Sequence, residues 1–155
     1  MKRPHVADQP IIFRPATAAD QGAIRLLLEA ARLPTSDLAV AQPDFFIARA
    51  AGEIVGVGGV EAHGATGLLR SVAVMATRRQ SGVGRRIVGC LEQHSRAAGM
   101  RELVLLTETA KPFFERLGYR AIERDAVPAA IRASAEFSSL CPRSAVCMQK
   151  SLAQG

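Results

Sequence analysis

The segment from Arg78 to Arg86, RRQSGVGRR, carries the residues whose types and spacing are best suited to chemistry. Gly82 and Gly84 precede a run in which apolar residues recur at helical spacing. A helix that begins at glycines presents free backbone N–H groups, with the positive end of the helix dipole behind them. Arginines beside this turn suit the planar recognition of phosphate or carboxylate. The pattern therefore predicts a phosphate-binding turn.

The cysteines and histidines, by contrast, predict no metal site. Cys141 and Cys147 lie six residues apart without a third thiol nearby, which favours one loop residue and one core residue over a metalloid site. His63 and His94 have no Cys, Asp or Glu at ligand spacing. Because the three cysteines form no C-x-x-C pair, we expect no disulfide framework and a cytoplasmic location.

The composition favours one globular domain. A chain of 155 residues can bury its own core, and we expect a flexible segment at 1–10 and a single domain at 11–152. No apolar run is long enough for a membrane span or a signal peptide, so we expect neither. The net charge of +6 favours an anionic ligand, although the arginines outside 78–86 are equally well explained as a basic surface.

Alternating strands and helices must position the phosphate-binding turn. The sequence predicts a strand at Leu68–Val74, a helix from the glycines to Gly99, and a buried strand at Leu103–Leu106. Together they form a right-handed βαβ unit with parallel strands. Further predicted strands are Ile11–Pro15, Phe45–Ala51, Glu53–Glu61, Tyr119–Arg124 and Ala145–Met148, and further predicted helices are Ala18–Arg32, Thr35–Ala41 and Ala110–Leu117. This order predicts a mixed sheet with helices on both faces.

Three glycines in the predicted strand Glu53–Glu61 call for a separate explanation. Gly56, Gly58 and Gly59 resemble a dinucleotide fingerprint, but Glu61 stands where its third glycine would be. The glycines therefore indicate strand curvature or a close backbone approach.

The predicted helical turn Thr35–Ala41 has its own capping signal. Thr35 or Ser36 is expected to cap its first residues.

The phosphate-binding turn and its neighbours match a known pattern. Arg79–Gly84 fits the R/Q-x-x-G-x-G/A loop of the GNAT superfamily of acetyl-CoA-dependent N-acetyltransferases, which the chain resembles. Ser71–Val74 upstream and Phe113–Tyr119 downstream, the latter similar to the family's F-Y-x-x-x-G-F block, extend the match over nearly the whole chain. The resemblance implies an α/β (α+β) fold with a mixed, mostly antiparallel sheet of about six to seven strands, helices on both faces and one central parallel βαβ unit. It also implies acetyl-CoA as co-substrate and no metal.

A narrower resemblance concerns the acceptor. Leu105–Ala110, Phe113-Phe114, Pro128 and the block Ser134–Ala145 are similar to acetyltransferases encoded with bacterial arsenic-resistance genes. Relatives of those enzymes acetylate amino acids or amino-acid-like antimetabolites. The resemblance implies a small amine acceptor with a free α-amino group, which includes organoarsenical and phosphinic amino acids.

The wider resemblance also implies roles for the turn and the strand before it. Backbone N–H groups of Gly82 to Arg85 cradle the pyrophosphate of coenzyme A. Val72 and Val74 offer a strand edge to the pantetheine amides, and the Val72 N–H polarises the thioester carbonyl. The 3′-phosphate is left to Arg78, Arg79, Arg85 or Arg86. The residues expected to bind coenzyme A are Val72, Val74, Arg79, Gly82, Val83, Gly84, Arg85 and Phe114.

The acceptor side has several candidates. Glu61 and Glu108, each at a strand end, are candidate bases, although such carboxylates are more often solvated surface groups. Arg70 is expected to project on the same side as Val72, where it either binds an acid group of the acceptor or is a satisfied structural arginine. Thr107, which stands where the family often has an asparagine, is the second expected acceptor-binding residue.

The proton donor is left unassigned. Phe114 stands where many family members have a tyrosine, and Tyr119, the only tyrosine, is expected to pack in the core. Two alternatives to an enzyme stay open: a sensor that binds acetyl-CoA without turnover, and a basic nucleic-acid-binding module. No recognition motif supports the second, so we expect neither a nucleic-acid nor a membrane partner. A homodimer is left open, since dimers are frequent in similar proteins.

Overall fold

The computed structural model describes residues 10–153, which form one seven-stranded sheet in the order β1-β2-β3-β4-β5-β7-β6. The only parallel neighbours in this sheet of the described residues are β4 and β5, and the other pairs are antiparallel. The strands are β1 Ile12–Pro15, β2 Asp44–Ala50, β3 Glu53–His63, β4 Thr66–Val74, β5 Glu102–Thr107, β6 Arg120–Ala121 and β7 Val146–Ser151. The predicted mixed, mostly antiparallel sheet is confirmed, but β6 is shorter than the strand predicted at Tyr119–Arg124.

Helices cover both faces of the sheet, as predicted. They are α1 Gln21–Ala30, α2 Leu38–Ala41, α3 Val83–Ala97, α4 Lys111–Arg116 and α5 Ala129–Arg132. The apolar stripe of α3 and the ring of Phe114 from α4 pack on one face, called here the α3 face. The apolar residues of α1, α2 and α5 pack on the opposite face, called here the α1 face. No helix among the described residues is long and apolar enough to cross a membrane.

Two glycines of β3, Gly56 and Gly58, lie directly beneath α3, whereas Gly59 faces Phe45 on the α1 face. A Cβ atom at Gly56 would lie 2.7 Å from Val83 Cγ1, and one at Gly58 would lie 2.7 Å from Ile87 Cγ2. Such separations are shorter than van der Waals contact, so a side chain at either glycine would push the helix away from the sheet. Of the two explanations predicted for these glycines, the close approach holds for Gly56 and Gly58.

Strands β4 and β5 separate soon after they begin. Their parallel pairing covers only Thr66–Leu68 opposite Glu102–Val104. Beyond it, Ser71 adopts the left-handed conformation (φ 59°), and the β3–β4 register shifts opposite Val57 and Gly59. This β-bulge bends β4 away from β5. An opening is left between the two strands in the middle of the sheet.

The bulge also overturns one prediction. Arg70 was expected on the same side of β4 as Val72, because side chains two residues apart share a face. The inserted Ser71 breaks that alternation: Val72 packs on the α3 face, whereas Arg70 reaches Asp37 beside α2 on the α1 face. The prediction of a shared side is therefore wrong.

The loop before α2 differs from its prediction as well. The N-cap position of α2 is occupied by Asp37, not by Thr35 or Ser36. The Asp37 carboxylate makes no side-chain bond to the helix and instead binds the Arg70 guanidinium. A tertiary ion pair thus outweighs the local cap at this position.

Candidate active site

The glycine turn that is predicted to bind phosphate lies between the end of β4 and the start of α3, the position that the sequence predicts for it. Gly82 occupies the N-cap position with φ 88°, a conformation that glycine adopts without a steric penalty. The N–H groups of the first helical turn, from Val83 to Arg85, have no acceptor within the helix. Gly82, Gly84 and Arg85 of this turn line a cleft of about 330 Å³, which Arg79 and Phe113 line as well.

The edge of β4 beside this cleft is free. Met75, just after the strand, donates its backbone N–H to the Val55 carbonyl of β3 at 2.8 Å. Because N–H groups alternate between the two edges of a strand, those of Val72 and Val74 point away from β3 and towards the opening. Beyond Leu68 no pairing with β5 covers this edge in the described chain. An extended ligand with amide groups could pair with it.

Aromatic rings close the base of the opening. Phe114 is 6% exposed and lines the cleft described above. Its ring contacts that of Phe113 edge to face, with ring centroids 4.9 Å apart. Tyr119 is buried behind Phe114 and donates its hydroxyl to Glu92 Oε2 at 2.8 Å. Burial, together with the charge of Glu92, raises the pKa of Tyr119 above its usual range. The prediction that Tyr119 packs in the core is confirmed.

A larger cleft of about 880 Å³ lies on the other side of the opening. Its walls come from the α1–α2 loop, the facing ends of β4 and β5, and the segment after α5. Val72, Val74 and Phe114 line both this cleft and the smaller one, so the two spaces meet at the free edge of β4. One ligand bound in the smaller cleft could therefore reach a second ligand in the larger one.

Arg70 lies at the wall of the larger cleft, at the centre of a buried ion cluster. Its guanidinium donates to both carboxylate oxygens of Asp37, at 2.6 and 2.8 Å, and to Glu61 Oε2 at 2.8 Å. The Nε–H donates to Ser71 Oγ at 3.2 Å. Burial alone would lower the pKa of Arg70, but the carboxylates of Asp37, Glu136 and Glu61 hold it above its usual value. These contacts agree with the second of the two roles expected for Arg70, that of a satisfied structural arginine.

The two candidate bases have different surroundings. Glu61 is 8% exposed, and both of its carboxylate oxygens are engaged, one by Arg70 and the other by His63 Nε2 at 3.2 Å. It is not among the described residues that line the larger cleft, whereas Glu108 is exposed and does line it. Thr107 lines it too, and its Oγ1 accepts the Ala110 N–H at 3.0 Å. The structure thus brings Glu108 and Thr107 to the cleft, but not Glu61.

Glu136, like Asp37, is a residue of this region that the sequence does not predict. It begins a short π-helical segment, Glu136–Leu140, is 5% exposed, and lines the larger cleft. Its Oε2 atom has no hydrogen-bond partner among the described residues. Burial raises the pKa of Glu136 to about 7; Arg70 opposes this shift, and the charges of Glu61 and Asp37 add to it. The one signal in the sequence is a lone acidic residue within the small and apolar run Ala133–Leu140.

No group of three or more His, Cys, Asp or Glu side chains that could hold a metal ion occurs within residues 10–153. Cys147 is buried on the α1 face, and Cys141 lies half-buried at the larger cleft. Burial raises the pKa of the Cys141 thiol to about 12 and that of Cys147 to about 11. Both thiols therefore stay protonated at neutral pH.

The known proteins that this chain resembles are acetyltransferases. A family model described as an acetyltransferase (GNAT) domain matches residues 41–121. An uncharacterised N-acetyltransferase of Chlorobaculum tepidum is 33% identical over 86 residues, which are 55% of this chain and 55% of that protein. An IAA acetyltransferase of Azospirillum brasilense is 36% identical over 72 residues, 44% of this chain and 47% of that protein. The chain thus matches about half the length of these curated relatives.

Two solved structures show the same fold. The N-acetylglutamate synthase of Neisseria gonorrhoeae, complexed with coenzyme A and N-acetyl-glutamate, superimposes with a TM-score of 0.80 at 18% identity, over 95% of this chain and 36% of that one. A Mycobacterium tuberculosis protein in complex with CoA superimposes with a TM-score of 0.77 at 26% identity, over 90% and 98% of the two chains.

Proposed function

We propose, since the chain belongs to the acetyltransferase (GNAT) domain family, that it transfers the acetyl group of acetyl-CoA to the amino group of a small molecule. The observation that carries the proposal is the meeting of two clefts at the free edge of β4. The smaller cleft suits coenzyme A and the larger one the acceptor. Transfer then proceeds by direct attack of the amine on the thioester while both ligands are bound.

The donor site that we propose is built largely from backbone. The N–H groups of Gly82 to Arg85 bind the pyrophosphate, helped by the dipole of α3. The edge of β4 at Val72 and Val74 pairs with the pantetheine arm, which brings the thioester to the junction of the clefts. Arg79 and its neighbours meet the 3′-phosphate. The residues of this site are Val72, Val74, Arg79, Gly82, Val83, Gly84, Arg85 and Phe114.

The same edge supplies the electrophilic assistance. As the amine attacks, negative charge develops on the thioester oxygen, and the Val72 N–H is oriented to stabilise it. Phe114 excludes water but has no proton to give to the departing thiolate. The amine itself loses a proton on becoming an amide, and that proton balances the one that the thiolate takes up. A dedicated acid is therefore not required by the stoichiometry.

The acceptor that we propose is an amino acid or an amino-acid-like compound, including organoarsenical and phosphinic amino acids. The resemblance of Leu105–Ala110 and Ser134–Ala145 to arsenic-resistance acetyltransferases supports it, as does the size of the larger cleft. Arg70 and Thr107 line that cleft, as does Arg32 of the α1–α2 loop. Since the contacts of Arg70 leave only one of its five N–H groups unassigned, the exposed Arg32 is better suited to an acid group.

The test is release of the coenzyme A thiol from acetyl-CoA with a panel of acceptors: glutamate and other amino acids, phosphinic and arsenic-containing amino acids, polyamines, aminoglycosides and peptides. We expect turnover with at least one amino-acid-like acceptor. Turnover confined to polyamines or peptides would contradict the acceptor class but not the reaction. A thermal shift with coenzyme A checks the donor site separately, because a ligand at a hundred times its Kd adds about 2.7 kcal/mol to stability.

A second candidate function is a sensor that binds acetyl-CoA without turnover. The observation that favours it is the absence of an accessible tyrosine, since Phe114 closes the junction and Tyr119 is bonded to Glu92. Binding of coenzyme A with no thiol release across the whole panel would support the sensor. The absence of binding would contradict both candidates.

A further inference from the structure

The Glu136 carboxylate, whose Oε2 atom has no hydrogen-bond partner among the described residues, is the feature of the larger cleft that neither the family resemblance nor the comparisons explain. A buried acceptor without a donor costs roughly 1–3 kcal/mol, so such a group is rare unless a ligand satisfies it. Glu136 is 5% exposed, and its Oε2 atom has no partner among the described residues. The residue nevertheless lines the cleft, so a ligand there can reach it.

The charges around Glu136 indicate which kind of ligand satisfies it. Asp37 at the start of α2, Glu61 of β3 and Arg70 of β4 act on it through space, and the Cys141 thiol hydrogen-bonds to its side chain. His63 faces the far side of Glu61. When Glu136 is ionised, three carboxylates surround a single guanidinium, and that guanidinium is engaged by Asp37 and Glu61. This cluster therefore carries an excess of negative charge beside Glu136, and an ammonium group would neutralise it.

We propose that Glu136 binds the ammonium group of the acceptor and takes a proton from it before the acetyl group is transferred. This inference rests on the function proposed above and adds a recognition group and a base to it. The cleft thereby selects acceptors that carry a primary ammonium group rather than a neutral nucleophile such as an alcohol.

The chemical step is balanced. The proton moves from nitrogen to Glu136 Oε2, which leaves a lone pair on the amine. That lone pair forms the N–C bond to the thioester carbon, and the C–S bond breaks as the electron pair leaves with sulfur. The nitrogen then loses its second proton, which the thiolate takes up, and Glu136 returns the first one to solvent. The products are the acetamide, coenzyme A and one proton.

Burial makes Glu136 better suited to this role than the other two candidate bases. Its raised pKa, about 7, lets it hold and release a proton near neutral pH, which is what a general base requires. Glu108 is exposed and lies at the rim, where water competes for its carboxylate. Glu61 is fully engaged by Arg70 and His63. Of the three, only Glu136 is buried with a carboxylate oxygen that lacks a partner among the described residues.

The first experiment compares Glu136→Gln and Glu136→Asp with the native protein, using the fastest acceptor of the panel. We expect Glu136→Gln to lower kcat/KM at pH 7 by about 100-fold or more and to abolish the rise of kcat/KM with pH near 7. Glu136→Asp should keep that rise with a smaller rate. Glu29→Gln, which removes an exposed carboxylate of α1, should change neither quantity.

Two results would overturn the proposal. One is a Glu136→Gln variant whose kcat/KM and pH profile stay within roughly threefold of the native values. The other is loss of the pH-dependent rise in Glu108→Gln instead. The affinity for coenzyme A should be unchanged in Glu136→Gln, so a loss of coenzyme A binding would indicate a disturbed fold, and Glu136→Asp would then decide.

A second experiment needs no turnover and so separates this proposal from the proposed function. The ¹³C carboxyl signal of Glu136, identified by its absence in Glu136→Gln, is titrated with pH in the protein bound to coenzyme A. Saturating ethylammonium chloride should lower the midpoint of that titration, whereas sodium chloride at the same ionic strength should not. An unchanged midpoint would contradict ammonium binding even if the protein acetylates amines by another route.

Discussion

The donor and acceptor sides of the junction are built on different principles. On the proposed donor side, the groups assigned to the ligand are backbone N–H groups, held by a glycine N-cap and by a strand edge that the Ser71 bulge leaves free. On the proposed acceptor side, the cleft is lined by the charged side chains of Arg70 and Glu136, and the Arg70 guanidinium is bound to Asp37 and Glu61 before any ligand arrives.

This difference predicts how each side tolerates change. A backbone site depends on local conformation, so a single substitution at a glycine can block it without affecting the rest of the fold. An ion cluster depends on neutralisation, so the loss of one charge disturbs its partners and the packing of the elements that carry them. Substitutions on the donor side should therefore weaken coenzyme A binding, whereas substitutions in the ion cluster should lower the free energy of unfolding.

Arg70→Met should have the largest effect. The substitution leaves Asp37 and Glu61 facing each other in a buried site without the cation between them. The expected loss in the free energy of unfolding is about 3–5 kcal/mol, measured by urea denaturation at pH 7. Arg14→Met is the matched control: the Arg14–Asp20 pair has the same bidentate geometry, but Arg14 is 31% exposed, so its loss should be clearly smaller.

The Arg70 cluster also offers an internal check. If neutralisation is its purpose, the triple variant Arg70→Met, Asp37→Asn, Glu61→Gln should recover part of the stability that Arg70→Met loses. Coenzyme A affinity of the folded protein should be unaffected throughout. An Arg70→Met variant with native stability and a raised KM for the acceptor would instead assign Arg70 to acceptor binding.

Gly84→Asp should come next, and its effect should fall on coenzyme A binding. The new carboxylate would lie in the first turn of α3, where the pyrophosphate is proposed to bind, and two charges about 5 Å apart repel by about 3 kcal/mol at an effective dielectric constant of 20. The Kd for coenzyme A should rise roughly 100-fold by calorimetry. Gly89→Asp places the same charge on an open, exposed part of the same helix and should leave the Kd nearly unchanged. Equal Kd values for the two variants would contradict the assignment of this turn.

The same contrast explains what could be predicted from the sequence. The glycine turn before α3 follows from three local signals, a strand, two glycines and a helix start, which lie within 20 residues of one another. The parallel β4–β5 pair follows from the buried run Leu103–Leu106 and the crossover helix. Each step uses only neighbours along the chain, so the prediction needed no tertiary information.

The acceptor side could not be predicted in this way. Asp37, Glu61, Arg70 and Glu136 are separated by up to 99 positions, and no spacing connects them. The face of Arg70 was predicted wrongly because no glycine marks the bulge at Ser71, a residue type that seldom adopts a positive φ. Burial, which gives Glu136 its unusual environment, depends on the packing of the segment after α5 against the sheet.

Tyr119→Phe should have the smallest effect on stability and activity. It tests whether the donor side depends on its backbone alone. Tyr119 donates to Glu92, but Lys150 also binds Glu92, at 3.0 and 3.1 Å, so the carboxylate keeps a partner when the hydroxyl is removed. The expected cost is therefore about 1 kcal/mol in the free energy of unfolding, with kcat unchanged. Lys150→Met, which leaves Glu92 without its cation, should cost more stability. If Tyr119→Phe instead lowers kcat tenfold at native stability, the hydroxyl takes part in proton transfer, and the donor side would depend on a side chain as well as on its backbone.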